Sequence, residues 1–272
     1  MRINCGMASE LTEAGGKVRL YVTAHLARGA EVPLEAGQAH YLLHVMRAKA
    51  GDRAALFNGR DGEWLAEVAA ANKRGVALSC LNQTRSQAGI PDLWLVFAPI
   101  KKTPSDYLAQ KATELGVARL QPVFTRRTIV TRVNEERLLA NAIEAAEQSE
   151  RLGVPDIGAP LALDRLLASW PKERQMFFCD EGGDAKPLAQ ALNVPPSPAG
   201  GGAARSAAGE GDSRSPAAIL TGPEGGFDPV ERAMLRALPF VTPVTLGPRI
   251  LRADTAALAA LAIWQSVAGD FR

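Results

Sequence analysis

Two glycine-bearing segments near the C-terminus constrain the fold more than any other part of the chain. The first covers residues 220–227 and follows an apolar, strand-like run at residues 217–220. The second covers residues 246–255 and follows a similar run at residues 241–246. Each segment precedes a pattern typical of a helix. Two strand-loop-helix units so close together predict glycine loops at the carboxyl ends of neighbouring strands, where ligands bind in open α/β sheets.

The helices after these loops begin with recognisable signals. Asp228 is placed to cap the first helix, Pro229 suits its first position, and Glu231 completes a capping-box pattern. Asp254 is placed to cap the second helix, which contains the apolar run at residues 256–267. Glycines permit a close approach of a ligand to the backbone, so we expect a ligand bound by shape and main-chain contacts. For either loop alone, a tight turn in an ordinary α/β protein is the alternative.

Neither loop matches a common nucleotide-binding motif. The chain contains no G-x-x-x-x-G-K-[ST] segment for a nucleoside triphosphate and no G-x-G-x-x-G segment for a dinucleotide. These two ligand classes are therefore not expected here.

Composition is that of an ordinary globular protein. Of the 272 residues, 47% are hydrophobic and 22% are charged, which suits one large or two modest domains. No apolar run reaches the roughly 18 residues of a membrane helix, and residues 1–17 lack a hydrophobic signal region. Three widely separated cysteines argue against disulfides and a zinc site. We expect a flexible extension at residues 1–17 and a cytoplasmic location.

A change of pattern near residues 86–91 predicts a boundary between two domains. Residues 18–88 contain short β-type runs and a hairpin turn signal at residues 58–62, which suggests a small barrel. Between residues 17 and 90 there are ten Lys and Arg against six Asp and Glu, a mild basic excess that suits a phosphate-contacting module. Residues 89–272 alternate strand and helix patterns, which predicts a parallel α/β domain. Within it, the Pro-, Gly-, Ala- and Ser-rich residues 194–216 are predicted to be a disordered insertion.

Several segments together match a known pattern: residues 40–47 with Gly51 and Asp52, 111–117, 144–149, 220–227 with Glu231, and 246–252 with Thr255 and Ala256. With these segments the chain resembles the SPOUT class of RNA methyltransferases. Within that class it resembles the RsmE family, which methylates N3 of a uridine in 16S ribosomal RNA. The resemblance covers residues 19–265. One departure is Asp254, because the family more often carries glutamate there; a carboxylate is kept.

The resemblance implies a fold, a cofactor and partners. The expected fold is α/β, with a SPOUT-type parallel sheet containing a deep trefoil knot and an N-terminal PUA-like RNA-binding β-barrel. The expected cofactor is S-adenosylmethionine. The expected partners are 16S ribosomal RNA in the small ribosomal subunit and a second copy of the chain joined through the knot domain, with no metal and no membrane. The residues implied to hold the cofactor are Leu220, Thr221, Gly222, Pro223, Glu224, Gly225, Gly226, Leu246, Gly247, Ile250, Leu251, Arg252, Thr255 and Ala256.

The implied reaction requires a base or an anion stabiliser. Uracil N3 carries a proton and is a poor nucleophile until that proton is lost. The candidate bases are Glu144, Glu147 and Asp254, and the candidate stabilisers are Arg249 and Arg252. Each glutamate has a residue four positions later with which it could simply support a helix, and Asp254 could be only a cap.

RNA binding requires accessible cationic and polar side chains. His40 and His44 lie one helical turn apart, but no third ligand is apparent, so RNA contact or packing is favoured over a metal site. A solvated basic face is the alternative for each arginine. The candidate RNA-binding residues are Arg19, His40, Arg47, Arg53, Arg60, Lys101, Lys102, Arg126 and Arg127.

The last helix and the overall function each leave an alternative. Residues 256–264 are apolar nearly all round, which predicts burial in the core or in a homodimer interface, and the family pattern favours the dimer. Besides an N3-uridine methyltransferase, the chain could be a ribose 2′-O-methyltransferase of the same superfamily. It could also be a non-catalytic RNA-binding or ribosome-assembly protein, although the retained loop glycines count against that.

Overall fold

The chain groups into two units by the contacts between its residues. The computed structural model describes residues 10–13, 16–72, 75–180, 182, 184–192 and 215–271. The first unit comprises Met1–Ala88 and Ile143–Val154, and the second comprises Gly89–Ala142 and Pro155–Arg272. The sequence did not predict that Ile143–Val154 would group with the N-terminal part. Among the described residues, no helix is long and apolar enough to cross a membrane.

The first unit is built on a five-stranded sheet with the strand order β3-β5-β6-β7-β4. β3 and β5 are parallel, and the remaining pairs are antiparallel. A short helix, α1, continues into one π-helical turn (Tyr41–Val45). The elements are β1 (Thr12–Glu13), β2 (Gly16–Lys17), β3 (Arg19–Tyr21), β4 (Glu31–Pro33), α1 (Ala36–His40), β5 (Arg53–Phe57), β6 (Glu63–Asn72) and β7 (Gly75–Arg85).

The predicted hairpin turn joins β5 to β6. The side-chain oxygen of Asn58 accepts hydrogen bonds from the backbone N–H groups of Arg60 and Asp61, at 3.0 and 2.8 Å. Gly62 has φ +75°, and a Cβ there would lie 2.2 Å from the carbonyl oxygen of Arg85. Glycine is therefore required at this position, both by the backbone angle and by the close approach of β7.

The predicted flexible extension differs from the structure in its described part. β1 and β2 pair with each other in antiparallel orientation. The backbone N–H of Leu11 donates to the carbonyl of Arg53 at 2.8 Å, and the Leu11 side chain is buried in the core of the first unit. An apolar side chain and a paired backbone hold residues 10–13 against the sheet. Residues 1–9, 14 and 15 lie outside the described residues.

The second unit is an eight-stranded sheet in which all pairs are parallel, with the path β10-β9-β8-β14-β12-β15-β13 and β11 paired to β9. This confirms the predicted parallel α/β fold. Its elements are β8 (Leu93–Phe97), α2 (Lys102–Glu114), β9 (Arg119–Phe124), α3 (Glu135–Gln148, which crosses into the first unit at Ile143), β10 (Asp156–Ile157), β11 (Leu161–Ala162), α4 (Leu163–Ala168), β12 (Gln175–Cys179), β13 (Lys186–Pro187), α5 (Leu188–Leu192), β14 (Ala217–Thr221), α6 (Pro229–Ala237), β15 (Val241–Thr245) and α7 (Ala253–Val267).

The strands that precede the two glycine loops are not neighbours. β12 lies between β14 and β15 and pairs with both. The prediction of adjacent strands was therefore wrong, because proximity in sequence does not decide which earlier strand a later one pairs with. β14 enters between β8 and β12, two strands formed by much earlier parts of the chain.

Apolar side chains cover both faces of this sheet. On one face Leu95 and Phe97 pack in a cluster that includes Leu261 and Trp264 of α7. On the other face Val96 and Phe178 pack in a cluster that includes residues of α4 and α6. Successive strand residues point to opposite faces, so burial on both faces explains the continuous apolar run of β8.

The predicted insertion at residues 194–216 lies outside the described residues, apart from Ser215 and Pro216, which lead into β14.

Candidate functional site

A cavity of about 870 Å³ opens at the carboxyl ends of the central strands of the second unit. Cys179 and Asp180 border it at the end of β12, Thr221 at the end of β14, and Thr245 at the end of β15. The loop after β8 adds Ile100 and Lys101. The two glycine loops contribute most of the remaining lining, with residues Gly222, Pro223, Glu224, Gly225, Gly226, Phe227, Leu246, Gly247, Pro248, Arg249, Ile250, Leu251, Arg252, Ala253 and Asp254.

Three glycines have separate physical roles in these loops. Gly226 and Gly247 have φ angles of +66° and +115°, and a Cβ on either would meet nothing within 4 Å, so backbone conformation is what requires glycine there. At Gly222 a Cβ would lie 2.6 Å from the ring of Phe227. That ring packs edge-on against Phe178 at 4.9 Å between centroids, so the small residue lets Phe227 close over the end of the sheet.

The first loop is anchored at its exit and at its centre. Asp228 caps α6 by accepting a hydrogen bond from Val230, and Glu231 completes the predicted capping box. The Glu231 carboxylate is buried and also accepts the backbone N–H of Arg126, at 2.8 Å, from the loop after β9. The guanidinium of Arg127 donates to the carbonyl of Gly225 at 2.9 Å. Two successive residues after β9 therefore hold the loop in place.

The second loop has a different helix start from the one predicted. The N-cap position of α7 is Arg252, and no side chain caps it. Asp254 lies in the first helical turn, where its carboxylate accepts the backbone N–H of Thr255 at 2.8 Å. The prediction that Asp254 caps α7 was wrong, because the helix starts two residues earlier. The Asp254 carboxylate instead borders the cavity.

A network of acidic and basic side chains forms the wall beyond β12. Asp180 is 5% exposed, and its carboxylate accepts the Nε–H of Arg232 at 2.7 Å, the Nε–H of Arg236 at 2.6 Å and the backbone N–H of Gly182 at 3.1 Å. Burial raises the pKa of Asp180, but the hydrogen bonds from the two arginines outweigh it and hold that pKa below its ordinary value. Burial also raises the pKa of the neighbouring Cys179 thiol to about 12, so this side chain is neutral.

The structure brings most predicted cofactor residues together at this cavity. Twelve of the fourteen border it. The exceptions are Leu220, which is fully buried inside β14, and Thr255, which is exposed on α7. Sequence reasoning missed Asp180, Arg232 and Ile100. Asp180 directly follows an apolar run, and that position after a parallel strand was the available signal.

The candidate catalytic residues divide into two groups. Arg249, Arg252 and Asp254 border the cavity. Glu144 and Glu147 do not, and both fall within the part of α3 that groups with the first unit. There the Glu147 carboxylate accepts the backbone N–H of Tyr21 at 2.9 Å. Its observed contact is therefore a structural one.

Among the residues of the first unit that were predicted to bind RNA, Arg19 instead has a structural role. It is 6% exposed, and its guanidinium donates to Glu63 and to the backbone carbonyls of Ala146, Glu147 and Arg151. Four of its five N–H groups therefore donate within the protein, and the buried side chain is not accessible to a phosphate.

The other candidates of the first unit remain accessible to different degrees. His40, Arg47 and Arg60 are exposed, and the His40 ring lies 4.6 Å from that of His44. Arg53 is half-buried and lies 3.7 Å from the carboxylate of Glu67. We keep the three exposed residues as the stronger candidates.

The candidates of the second unit lie close to the glycine loops. Lys101 and Arg127 are exposed and border the cavity. Arg126 forms an ion pair with Asp228 at 3.2 Å, and the Lys102 side chain is outside the described part of the chain. Within that part, no group of three or more His, Cys, Asp and Glu side chains is arranged to hold a metal ion.

Two protein families match the chain. Residues 88–265 match the family described as RNA methyltransferase domain, which is more than half of the chain. Residues 34–79 match the family described as RNA methyltransferase PUA domain. These matches correspond to the second unit and to part of the first.

Relatives with known names match along most of their length. The chain is 32% identical to ribosomal RNA small subunit methyltransferase E of Rickettsia conorii, over 90% of this chain and 93% of that protein. It is also 32% identical to the Synechocystis protein of the same name, over 90% of this chain and 76% of that protein.

Solved structures match most of the chain. A ribosomal RNA small subunit methyltransferase E from Neisseria gonorrhoeae, bound to S-adenosyl methionine, superposes with a TM-score of 0.79 at 26% identity, over 94% of this chain and 99% of that one. A protein from Legionella pneumophila, solved in complex with the bound cofactor SAM, gives a TM-score of 0.75 at 25% identity, over 92% of this chain and 97% of that one. The chain belongs to the family of RNA methyltransferases that includes ribosomal RNA small subunit methyltransferase E.

Proposed function

We propose that this chain transfers a methyl group from S-adenosylmethionine to N3 of one uridine in the 16S ribosomal RNA of the small ribosomal subunit. The observation that carries the proposal is the cavity of about 870 Å³ built by two glycine loops at the carboxyl ends of β14 and β15. Its size is within the range of small-molecule sites, roughly 300–1,000 Å³. A relative named ribosomal RNA small subunit methyltransferase E matches most of the chain, and a protein of the same name with a similar structure has been solved bound to S-adenosyl methionine.

The residues of the cavity fit the chemistry of S-adenosylmethionine. Its adenine needs an apolar slot, which Leu246, Ile250, Leu251 and Val244 provide. Its polar groups need main-chain donors and acceptors, which the open backbones of the glycine loops supply. When bound, the cofactor supplies a methyl group already activated by a sulfonium. The protein then has mainly to position the uridine beside that methyl group.

Asp254 is the base in this proposal. Of the three acids predicted for the role, it alone borders the cavity. Its carboxylate would accept the proton from uracil N3, which leaves the nitrogen electron pair free to form the new N–C bond. Arg249 and Arg252 border the same cavity and are exposed there, so they would stabilise the uridine anion as it forms.

We further propose the finer topology implied by the resemblance, a trefoil knot in the second unit and a closed barrel in the first. The insertion of β14 between two earlier strands, together with the packing of α7 against α2 and α5, supports a chain that passes through its own loop. The five-stranded sheet with its irregular β6–β7 register supports a curved, barrel-like sheet. An unknotted trace or an open sheet in a crystal structure of the chain would contradict these two assignments.

The active assembly in this proposal is a cytoplasmic homodimer formed through the second unit. On α7 the buried residues include Ala257, Ala260 and Trp264, whereas Leu258, Ala259 and Ile263 are only partly buried. Partly buried apolar residues on an otherwise apolar helix suit a second packing surface. Sedimentation equilibrium should give twice the mass of the 28.8 kDa chain, and a monomer at micromolar concentration would contradict the dimer.

The decisive test is transfer of a labelled methyl group to small ribosomal subunits that lack the modification, followed by mass spectrometry of the nucleosides. N3-methyluridine is the expected product. A matched variant, Asp254→Asn, keeps the shape of the side chain but cannot accept the proton. It should lower kcat by about 100-fold, the usual share of a general base, with the cofactor affinity unchanged.

Three outcomes would contradict the proposal in different ways. A methylated ribose would move the reaction to 2′-O transfer. Cofactor binding without any transfer would exclude this RNA as the substrate. Absence of cofactor binding would favour a non-catalytic RNA-binding protein.

A further inference from the structure

Two arginines on one face of α6 share a carboxylate but differ in the hydrogen bonds that their terminal nitrogens make. Arg232 and Arg236 each donate their Nε–H to Asp180. The terminal nitrogens of Arg236 also donate to both oxygens of Asp184, at 2.9 and 2.6 Å, so each of its three guanidinium nitrogens donates to a carboxylate. The terminal nitrogens of Arg232 have no hydrogen-bond partner among the residues that the structure describes. Arg232 borders the cavity and Arg236 does not.

The side chain of Arg232 is held in a defined position. Its Nε is fixed by a carboxylate that is 5% exposed. Its terminal nitrogen lies against Gly182, where a Cβ would come within 1.5 Å of it. Gly182 has an ordinary φ, so its lack of a side chain makes room for the guanidinium rather than relieving the backbone. A guanidinium anchored through Nε presents its two outer N–H groups as a fork.

Charge around Arg232 leaves it able to bind an anion. The buried Asp180 is shared between two guanidinium groups, and Asp184 is 75% exposed and screened by solvent. The other cations that border the cavity are Lys101, Arg127, Arg249 and Arg252, and all four are exposed. Arg232 differs from these four because it is partly buried and a buried carboxylate fixes its guanidinium.

We propose that Arg232 binds the carboxylate of the amino-acid portion of S-adenosylmethionine, as an anchor held in position by Asp180 and admitted by Gly182. The planar fork of a guanidinium matches the two oxygens of a carboxylate, which adds orientation as well as affinity. The inference rests on the proposed function and adds to it the residue that fixes one end of the cofactor.

The test compares two ligands by calorimetry, S-adenosylmethionine and its decarboxylated analogue, which differ in that carboxylate. The wild-type chain should bind S-adenosylmethionine about tenfold to a hundredfold more tightly than the analogue, the value of charge-assisted hydrogen bonds. Arg232→Ala should lose most of this preference by weakening the binding of S-adenosylmethionine, with the analogue bound about as before.

Two further variants separate ligand binding from structural damage. Arg236→Ala removes an arginine from the same network and leaves Arg232 in place, so any loss of affinity should be equal for both ligands. Gly182→Ala displaces the Arg232 guanidinium without removing it, so it should reduce the preference as Arg232→Ala does. It also provides the test if Arg232→Ala fails to fold.

The outcomes distinguish this inference from the proposed function. A wild-type chain that binds neither ligand overturns both. A wild-type chain that binds S-adenosylmethionine, with a preference that Arg232→Ala and Gly182→Ala leave unchanged, overturns the role of Arg232 alone. If Arg236→Ala loses as much of the preference for S-adenosylmethionine as Arg232→Ala does, the effect belongs to the whole network, and the specific role of Arg232 is overturned.

Discussion

At the scale of single residues, the site depends on backbone conformations that only glycine adopts readily. Gly226 and Gly247 both have positive φ, and space is open where their side chains would be. A side chain at either position therefore faces a conformational cost of roughly 1–2 kcal/mol and, since both residues border the cavity, occupies space that a ligand would use. The two effects can be separated with a glycine of similar backbone angle elsewhere.

Gly226→Trp should abolish measurable binding of S-adenosylmethionine in calorimetry. The indole would project from a loop residue that borders the cavity, and a Cβ at this position would meet no atom within 4 Å. Gly29→Trp is the matched control, because Gly29 has φ +78°, is exposed, and a Cβ added there would also meet nothing within 4 Å. It should lower thermal stability by a similar amount and leave cofactor affinity intact. Tight binding by Gly226→Trp would show that the pocket lies elsewhere.

Individual residues show both what the sequence could predict and what it could not. The loop residues that border the cavity were predictable, because each glycine loop is one continuous segment whose motif can be recognised in the sequence. Arg19 was predicted to bind RNA and Glu147 to act as a base, yet both join β3 to the end of α3. The Arg19 guanidinium donates to the carbonyl of Glu147, and the Glu147 carboxylate accepts the backbone N–H of Tyr21. Partners more than 120 positions apart leave no local signal, so a cation or acid with a structural role looks free in the sequence.

At the scale of elements, α6 fixes the first glycine loop through a single carboxylate. Glu231 accepts the N–H of Asp228 at 3.3 Å within its own capping box and the N–H of Arg126 at 2.8 Å from the loop after β9. The sequence predicted the capping box, because its spacing is local. It could not predict the link to Arg126, because that link depends on where β9 lies in the sheet.

Glu231→Ala should expose both amides to exchange with solvent. Each loses a partly buried hydrogen bond to a charged group, worth about 1–3 kcal/mol, so hydrogen-exchange protection at Asp228 and Arg126 should fall about tenfold to a hundredfold. Glu231→Gln keeps one oxygen acceptor and should lose less. The control is Glu136→Ala, an exposed acid in the first turn of α3, which should leave both amides unchanged. Unchanged protection in Glu231→Ala would mean that another group holds the loop.

At the scale of the whole molecule, the order of strands decides where the site forms. The sequence predicts that β14 and β15 are neighbours. In the structure β12 lies between them and places Asp180 between the two glycine loops. The fold class followed from the alternation of strand and helix patterns. The strand order did not, because pairing between distant segments is set by packing on both faces of the sheet rather than by any local pattern.

The first unit should carry part of the affinity for RNA through Arg47 and Arg60. Both side chains are exposed, whereas Arg19 is buried and donates most of its N–H groups within the protein. Each phosphate contact releases counterions, so its loss lowers the slope of log affinity against log salt by roughly 0.7–0.9. The double variant Arg47→Ala with Arg60→Ala should therefore weaken binding to small-subunit RNA and lower that slope by about 1.5.

The matched control for this measurement is Arg137→Ala. Arg137 is 45% exposed, but both ends of its guanidinium are held by Asp106, so its removal should leave the salt slope unchanged. Affinity is measured by fluorescence anisotropy from about 50 to 200 mM salt, the range in which counterion release dominates. An unchanged slope in the double variant would remove Arg47 and Arg60 from the RNA-binding surface. An equal decrease in Arg137→Ala would mean that the slope depends on the total charge of the chain and not on contacts between individual arginines and phosphates.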